Sequence, residues 1–145
     1  MATEEELKKR IGVLQDIREI EELHRKYVYC LCSRQWDELL DCFADDAVTD
    51  IGSNGLRLGK KEIEEMVYGK FDKLERTPGH MAAQPVITVD GDMATGYWIL
   101  YLFSKNLPGE WVQGRHECLY RKINGKWRFG YVKYVRPWPP EPSDH

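Results

Sequence analysis

The feature that most constrains this chain is an apolar stripe in its first quarter. Its members recur at alternating steps of three and four residues: Ile17, Ile20, His24, Tyr27 and Leu31. That spacing places side chains on one face of an α-helix, so it predicts a helix over about residues 4–31. Tyr27 lies on the face that must be buried, where a phenol either braces the core or lines a pocket.

The remaining pattern changes from helices to strands along the chain. Apolar spacing predicts further helices over 36–43 and 60–74, with a hairpin-like pair of short strands at 48–51 and 56–58 between them. After Pro78, runs rich in β-branched and aromatic residues predict four strands, at 84–89, 93–104, 110–123 and 127–136. A turn is predicted at 106–109, and Asn124-Gly125 is a strong hairpin signal. Helices followed by an antiparallel meander indicate the α+β class.

The length of 145 residues predicts a single domain over 1–145. The proline-rich end from about residue 137 cannot pair as a central strand, so we expect an extended arm there. Between Thr95 and Phe103 both strand parities are apolar, although helices can cover only one face of a sheet. The uncovered face therefore predicts a homo-oligomer, and the resemblance described below favours a trimer over a dimer.

Composition excludes several classes of function. A net charge of -3 leaves no basic surface for nucleic acid, and no apolar run approaches the ~20 residues of a membrane helix. The charged N-terminus is not a signal peptide, so we expect a cytoplasmic protein with no nucleic-acid or membrane partner. The four cysteines lack the spacing of a zinc site, so no metal is expected.

Five sequence words together resemble the SnoaL-like branch of the NTF2-like superfamily, over nearly the whole chain. They are KYVYCLCSRQWDEL at 26–39, FADDAV at 43–48, GHMAAQPVITV at 79–89, ATGYW at 94–98 and GKWRFGYVKYVR at 125–136. The motifs are most similar to bile-acid 7α-dehydratase, with scytalone dehydratase and lindane dehydrochlorinase as more distant relatives. The resemblance implies a cone in which three N-terminal helices and a curved antiparallel sheet surround a deep apolar pocket.

The resemblance also implies a set of catalytic residues. His80 matches the histidine that serves these relatives as general base, Tyr27 matches the pocket tyrosine of the dehydratases, and Arg136 matches the arginine that ends the last strand of the bile-acid enzyme. Cys32 falls where the relatives carry the aspartate that orients the histidine. A carboxylate fixes the tautomer of an imidazole and stabilises its cation, whereas a neutral thiol does neither. Cys32→Asp is therefore expected to raise activity.

Three further residues are candidate substrate contacts: Ile51, His116 and Trp98. Ile51 stands where the two dehydratases carry a pocket tyrosine. His116 shares a strand parity with apolar residues and so faces inward, as a packed core residue or a substrate contact. Trp98 shares one of the two apolar parities of 95–103 with Leu100 and Leu102.

Two classes of function follow. The first is a cofactor-free lyase or isomerase of dehydratase type, which acts on a hydrophobic carbonyl-bearing ring compound such as a steroid, terpenoid or polyketide. The second is a non-catalytic small-molecule binding module, or an inactive paralogue that has lost the Asp-His dyad. A polyketide-cyclase-like protein that relies on cavity shape stands between them. Whether His80 finds a carboxylate, with Asp46 and Asp50 the nearest candidates, discriminates the first two.

Overall fold

The computed structural model describes residues 1–75, 78–103, 110–140 and 142. In this part of the chain the helices are α1 (Glu4–Ser33), α2 (Trp36–Leu40) and α3 (Lys60–Met66), which continues into a π-helical turn (Val67–Phe71). The strands are β1 (Phe43–Ile51), β2 (Leu56–Leu58), β3 (His80–Asp90), β4 (Met93–Phe103), β5 (Trp111–Ile123) and β6 (Lys126–Val135). The predicted α+β class is confirmed.

The long first helix has a defined start and a buried stripe. Thr3 caps it in a reciprocal pair of hydrogen bonds, in which each backbone N–H of Thr3 and Glu6 donates to the other residue's side chain at 3.1 Å. The helix ends at Arg34, which has left-handed backbone geometry. The predicted stripe is confirmed over its last four members, since Ile20, His24, Tyr27 and Leu31 are buried. Leu23 and Cys30 are buried beside them.

The sheet is open and six-stranded, in the order β2-β1-β6-β5-β4-β3. The predicted hairpin at Asn124-Gly125 joins β5 to β6, and both residues have positive φ, as a two-residue turn of this type requires. The expectation of a purely antiparallel sheet is wrong at one place, because β1 pairs with β6 in parallel. β1, which precedes α3 in the chain, therefore forms hydrogen bonds with β6, the last strand of the meander.

Several predicted boundaries need correction. α2 ends at Leu40, because the backbone already pairs with β6 at Cys42, whose carbonyl accepts from Phe129 N at 2.8 Å. β1 consequently starts at Phe43 instead of residue 48, and β3 starts at His80 instead of residue 84. The predicted turn at 106–109, the end of β4 at Ser104 and part of the C-terminal arm lie outside the described residues.

Two glycines in the sheet allow tyrosine rings to lie flat against it. A Cβ at Gly96 of β4 would stand 2.6 Å from Cε2 of Tyr120, and a Cβ at Gly114 of β5 would stand 2.4 Å from Cε2 of Tyr134. Both distances are shorter than packed carbon atoms tolerate. The absence of a side chain at these positions therefore sets where the two tyrosines lie.

The two faces of β4 differ in exposure. Ala94, Gly96, Trp98 and Leu100 are buried on the face toward the helices, whereas Tyr97 on the outer face is 43% exposed. The described part of the C-terminal arm lies along the same outer side, where the Trp138 carbonyl accepts from Gln113 Nε2 at 3.1 Å. No helix within the described ranges is long and apolar enough to cross a membrane.

Candidate functional site

A cavity of about 190 Å³ lies between the helices and the inner face of the sheet. Its walls are mainly apolar, with Leu31 from α1, Trp36 from α2, Phe71 from the π-helical turn, and Leu100 and Leu102 from β4. Its polar lining residues come from four different elements and the loop after β1: Tyr27, Asn54, His80, His116 and Tyr134. An apolar chamber with a few convergent polar groups is the usual form of a small-molecule site.

The structure distributes the seven candidate residues over three neighbouring spaces. Tyr27, Ile51, His80 and His116 line the cavity itself. Cys32 and Trp98 line a groove between α1 and β3, and His80 borders both that groove and the cavity. Arg136 lines a third space, which shares Ile51, Asn54 and Tyr134 with the cavity wall. The candidates therefore surround one region, but only four of them face the same chamber.

His80 is held by its own loop. Its Nδ1 lies 2.7 Å from the carbonyl oxygen of Pro78, and because a carbonyl only accepts, Nδ1 carries the proton. The lone pair of the neutral ring is then on Nε2, and this is the nitrogen that would accept a proton from a ligand. Burial lowers the pKa of His80, and the hydrogen bond to Pro78 opposes that shift. His80 is therefore neutral at pH 7 and can act as a base.

Cys32 does not take the place of the missing aspartate. Its Sγ lies 3.4 Å from the backbone N of His80 and 3.6 Å from the carbonyl O of the same residue. The thiol thus contacts the backbone of His80 instead of its ring. It helps to fix the start of β3 against α1, and the orientation of the imidazole comes from the Pro78 carbonyl.

No carboxylate among the described residues lines either of the two spaces that His80 borders. Asp46, one of the two expected partners, forms an exposed ion pair with Arg121. Within the described ranges, no three His, Cys, Asp or Glu side chains cluster as ligands for a metal ion. Of the two members of an Asp-His dyad, the described part of the site therefore contains the histidine and lacks the carboxylate.

Tyr27 is almost fully buried and packs edge-on against Phe43 and Phe129, with ring centroids 5.7 and 5.1 Å away. Burial is the main cause that raises the pKa of its hydroxyl, and the nearby Cys118 and Cys42 thiols contribute in the same direction. The phenol therefore stays protonated at any physiological pH. It can donate a hydrogen bond at the cavity wall but cannot act as a base.

His116 is connected to a histidine that the sequence did not single out. Its Nδ1 lies 3.2 Å from Nε2 of His24, whose Nδ1 lies 3.0 Å from the Tyr120 hydroxyl. Burial, and then the proximity of His80, lower the pKa of His116 to about 3. Burial and His116 likewise lower the pKa of His24 well below its usual value. Both rings are therefore neutral inside the folded protein.

Tyr134 lies in the far wall of the cavity, and Arg136 lies in the neighbouring space outside that wall. The Tyr134 hydroxyl is buried and has no hydrogen-bond partner within the described part of the chain. Arg136 is exposed at the end of β6, and its charge partly offsets the rise that burial causes in the pKa of Tyr134. Arg136 therefore borders the space next to the cavity but does not line the cavity itself.

Sequence reasoning missed Tyr134, Tyr120 and His24. Tyr134 lies on the last strand among other aromatic residues, and only the strand register shows which of them face inward. His24 does carry a local signal, because it belongs to the apolar stripe of α1. A titratable residue on such a stripe needs buried polar partners, and here they come from β5.

A family model described as a SnoaL-like domain matches residues 12–133. Three solved structures are similar over most of their length. An NTF2-like protein with a cystatin-like fold from Novosphingobium aromaticivorans is 19% identical with a TM-score of 0.78, covering 95% of this chain and 93% of that one. A candidate scytalone dehydratase from the same species is 21% identical with a TM-score of 0.73, covering 83% of each chain.

The third is the hexachlorocyclohexane dehydrochlorinase LinA-type3 from Novosphingobium barchaimii. It is 16% identical with a TM-score of 0.77, and the match covers 94% of this chain and 97% of that one. Identities this low establish a shared fold, and function must be argued from the site. The superfamily inferred from the sequence words is confirmed.

Proposed function

The chain belongs to the SnoaL-like family, and on that premise we propose that it is a cofactor-free lyase or isomerase with His80 as its general base. The substrate class is a hydrophobic ring compound that carries a carbonyl group. Two structural neighbours bear the names of elimination enzymes, a dehydratase and a dehydrochlorinase. Proton removal beside an electron-withdrawing group is the step that eliminations and isomerisations share.

The observation that carries this proposal is the hydrogen bond from His80 Nδ1–H to the Pro78 carbonyl. It leaves Nε2 unprotonated at the wall of a largely apolar cavity. A base positioned in this way contributes roughly 10²–10⁴ to a rate. The backbone carbonyl supplies the orientation that a carboxylate supplies in the dyad, although it brings no negative charge.

In the proposed step, Nε2 of His80 takes a proton from the carbon next to the carbonyl, and the electron pair moves onto the carbonyl oxygen as an enolate. If a hydroxyl stands on the next carbon, the enolate expels it. The imidazolium returns its proton to that hydroxyl, and the products are water and an unsaturated ketone. Tyr27, which stays protonated, assists the leaving hydroxyl, and Arg136 binds a polar substituent at the cavity's edge.

Cavity size supports a small substrate. An apolar cavity of ~150 Å³ holds one benzene molecule, and this cavity measures about 190 Å³. One six-membered ring with short substituents therefore fits, which favours a monocyclic terpenoid or polyketide fragment over a four-ring steroid. Ile51 and the two cavity leucines of β4 supply the apolar contact.

The test is hydrogen exchange at the carbon next to the carbonyl. Cyclohexanone and a 3-hydroxycyclohexanone are incubated with the protein in D₂O, and deuterium incorporation and enone absorbance are followed. We expect His80→Gln to lower both rates roughly 10²-fold or more, whereas His145→Gln, the same change at the C-terminal residue, leaves them unaltered. Equal rates in wild type and His80→Gln would refute His80 as the base.

A second function is favoured by one specific observation. No carboxylate among the described residues meets His80, and its pKa is lowered rather than raised. This supports a binding module that takes up the same ligands without turnover. Saturable binding of cyclohexanone with no exchange above the rate in buffer would select the binding module over the enzyme.

We further propose a cytoplasmic homo-oligomer, with a trimer preferred to a dimer. The four cysteines are unpaired, which suits a reducing compartment. The outer sheet face carries exposed Tyr97, Trp111 and Leu119, which a second copy can cover. Light scattering at micromolar concentration should give a multiple of 17.0 kDa, and a monomer would refute the assembly.

A further inference from the structure

Four ring side chains form one buried hydrogen-bonded chain that ends at the cavity. Trp98 Nε1 donates to the Tyr120 hydroxyl at 3.0 Å, and that hydroxyl lies 3.0 Å from His24 Nδ1. His24 Nε2 lies 3.2 Å from His116 Nδ1. His116 lines the cavity and His24 does not, so the edge of His116 that carries Nε2 is the one presented to a ligand.

The chain has a preferred direction. The indole N–H of Trp98 can only donate, so the Tyr120 oxygen accepts from it and keeps its own proton to give away. The acceptors beside that proton are Nδ1 of His24 and the Cys118 thiol. Sulfur is a weak acceptor, so the hydroxyl donates to His24. A neutral His24 then carries its proton on Nε2 and donates it to His116 Nδ1, which leaves the proton of His116 on Nε2.

From this geometry we propose that His116 is the hydrogen-bond donor that holds the carbonyl oxygen of the substrate, through its Nε2–H. His24, Tyr120 and Trp98 are positioning residues that keep the proton on that nitrogen. The assignment rests on the proposed function for the identity of the substrate oxygen. The assignment of the His116 tautomer depends only on the hydrogen bonds that join Trp98, Tyr120, His24 and His116.

His116 is suited to this role because it remains neutral. The groups that face the two histidines are Trp98, Tyr120, Tyr27, Phe129, Tyr134 and the second cavity histidine, His80. None of these brings a negative charge that would favour an imidazolium. A neutral imidazole is a hydrogen-bond donor that needs no proton from solvent, and it does not repel the imidazolium that His80 becomes.

Tyr134 provides a second donor for the same oxygen. Its hydroxyl is buried without a partner within the described part of the chain, and its ring stands 6.2 Å from that of His116 in an edge-on arrangement. A buried hydroxyl with no partner costs stability, and a ligand oxygen in the cavity would satisfy it. Two donors on neighbouring strands thus face the place where negative charge develops, as enolate stabilisation requires.

The tautomers can be measured directly in the wild-type protein by ¹⁵N NMR of labelled imidazole rings. We expect His116 to carry its proton on Nε2 and His80 on Nδ1, both neutral at pH 7. In Tyr120→Phe, which keeps the ring and removes the hydroxyl, we expect His116 to become a mixture of the two tautomers. A wild-type His116 protonated on Nδ1 would overturn the proposal, and so would an unchanged Nε2–H tautomer in folded Tyr120→Phe.

Binding of acetophenone labelled with ¹³C at its carbonyl tests the contact with the ligand. The carbonyl resonance moves downfield when its oxygen accepts a hydrogen bond. We expect that shift in wild type, its loss in His116→Phe with affinity lowered on the order of tenfold, and a partial loss in Tyr134→Phe. Tyr68→Phe, a change on the exposed side of the π-helical turn, is the matched control and should behave as wild type.

The outcomes separate this proposal from the proposed function. A carbonyl shift that disappears in Tyr27→Phe but survives in His116→Phe would overturn the assignment of His116 and leave His80 as the base. Deuterium exchange that is absent in wild type would remove the enzyme function. The carbonyl shift and the tautomer would still support His116 as the residue that recognises a ligand oxygen.

Discussion

Lowering the pH from 7 to 5 is expected to destabilise the folded protein by at least about 2 kcal/mol, because two histidines are buried in their neutral form. Burial depresses the pKa of His24 and His116 in the folded state, whereas an unfolded histidine titrates near 6.5. Below pH 6.5 the unfolded chain therefore binds more protons than the folded one. Stability is fully present above that pH and is lost as the pH falls.

The magnitude follows from proton linkage. Each proton taken up on unfolding changes the free energy of unfolding by about 1.4 kcal/mol per pH unit. His116, whose folded pKa is about 3, thus loses about 2 kcal/mol of stabilisation by pH 5. The lowered pKa of His24 adds a loss in the same direction. This is a large share of the 5–15 kcal/mol that keeps a typical domain folded. The carboxyl groups with lowered pKa, such as Asp41 and Asp72, contribute mainly below this range.

The assay is urea unfolding followed by tryptophan fluorescence at pH 7, 6 and 5, with the free energy extrapolated to water. His80, whose pKa is also lowered, adds to the effect, so the series is measured in His80→Gln. In that background, adding His116→Phe should remove about 2 kcal/mol of the destabilisation between pH 7 and 5, whatever it does to stability at pH 7. A change below about 1 kcal/mol between pH 7 and 5 would refute the neutral buried pair.

Two other changes test the packing and the dyad. Gly96→Ala should lower the free energy of unfolding by about 1–3 kcal/mol, because its Cβ would collide with the ring of Tyr120. Gly12→Ala, with open space around it on α1, should instead raise the free energy of unfolding by ~0.5–1 kcal/mol. Urea unfolding measures both changes, and equal effects would contradict the close approach of Gly96 and Tyr120. Cys32→Asp should alter the deuterium-exchange rate less than about twofold, far below the factor of roughly 10² or more that a restored dyad would give. The reason is that position 32 faces the backbone of His80, and the Pro78 carbonyl already accepts from Nδ1 of its ring. This reverses the expectation from sequence, and a large gain would restore the dyad interpretation.

Local patterns predicted the elements whose signals are local. The three-and-four spacing located α1, and Asn124-Gly125 located the hairpin between β5 and β6. The start of β1 was misplaced because Phe43 and Ala44 fit a helical face as well as a strand. The parallel pairing with β6 that decides between them joins residues more than 80 positions apart, which periodicity cannot detect.

For the candidate site, the sequence predicted lining residues but not the contacts that orient them. The family resemblance pointed to His80, Tyr27 and Ile51, and the structure places these three on one cavity. It could not show that a backbone carbonyl orients His80, since that contact depends on the path of the loop at Pro78. Nor could it connect His24 to partners 92 and 96 positions away, because a histidine on an apolar stripe does not reveal what lies across from it.

The close contact between Gly96 and Tyr120 has a consequence for how sequences related to this one diverge. While position 120 carries a tyrosine, a side chain at position 96 collides with its ring and lowers stability, so selection favours inheriting the two positions as a pair. Once the tyrosine is replaced by a small residue, the restriction on 96 ends and other residues can accumulate there. A descendant that has a side chain at 96 is therefore expected to have lost the Tyr120 ring, and with it the hydroxyl that fixes His24 and His116, even if its His80 is intact. A side chain at position 96 thus serves as an inherited marker of relatives that have lost this buried chain.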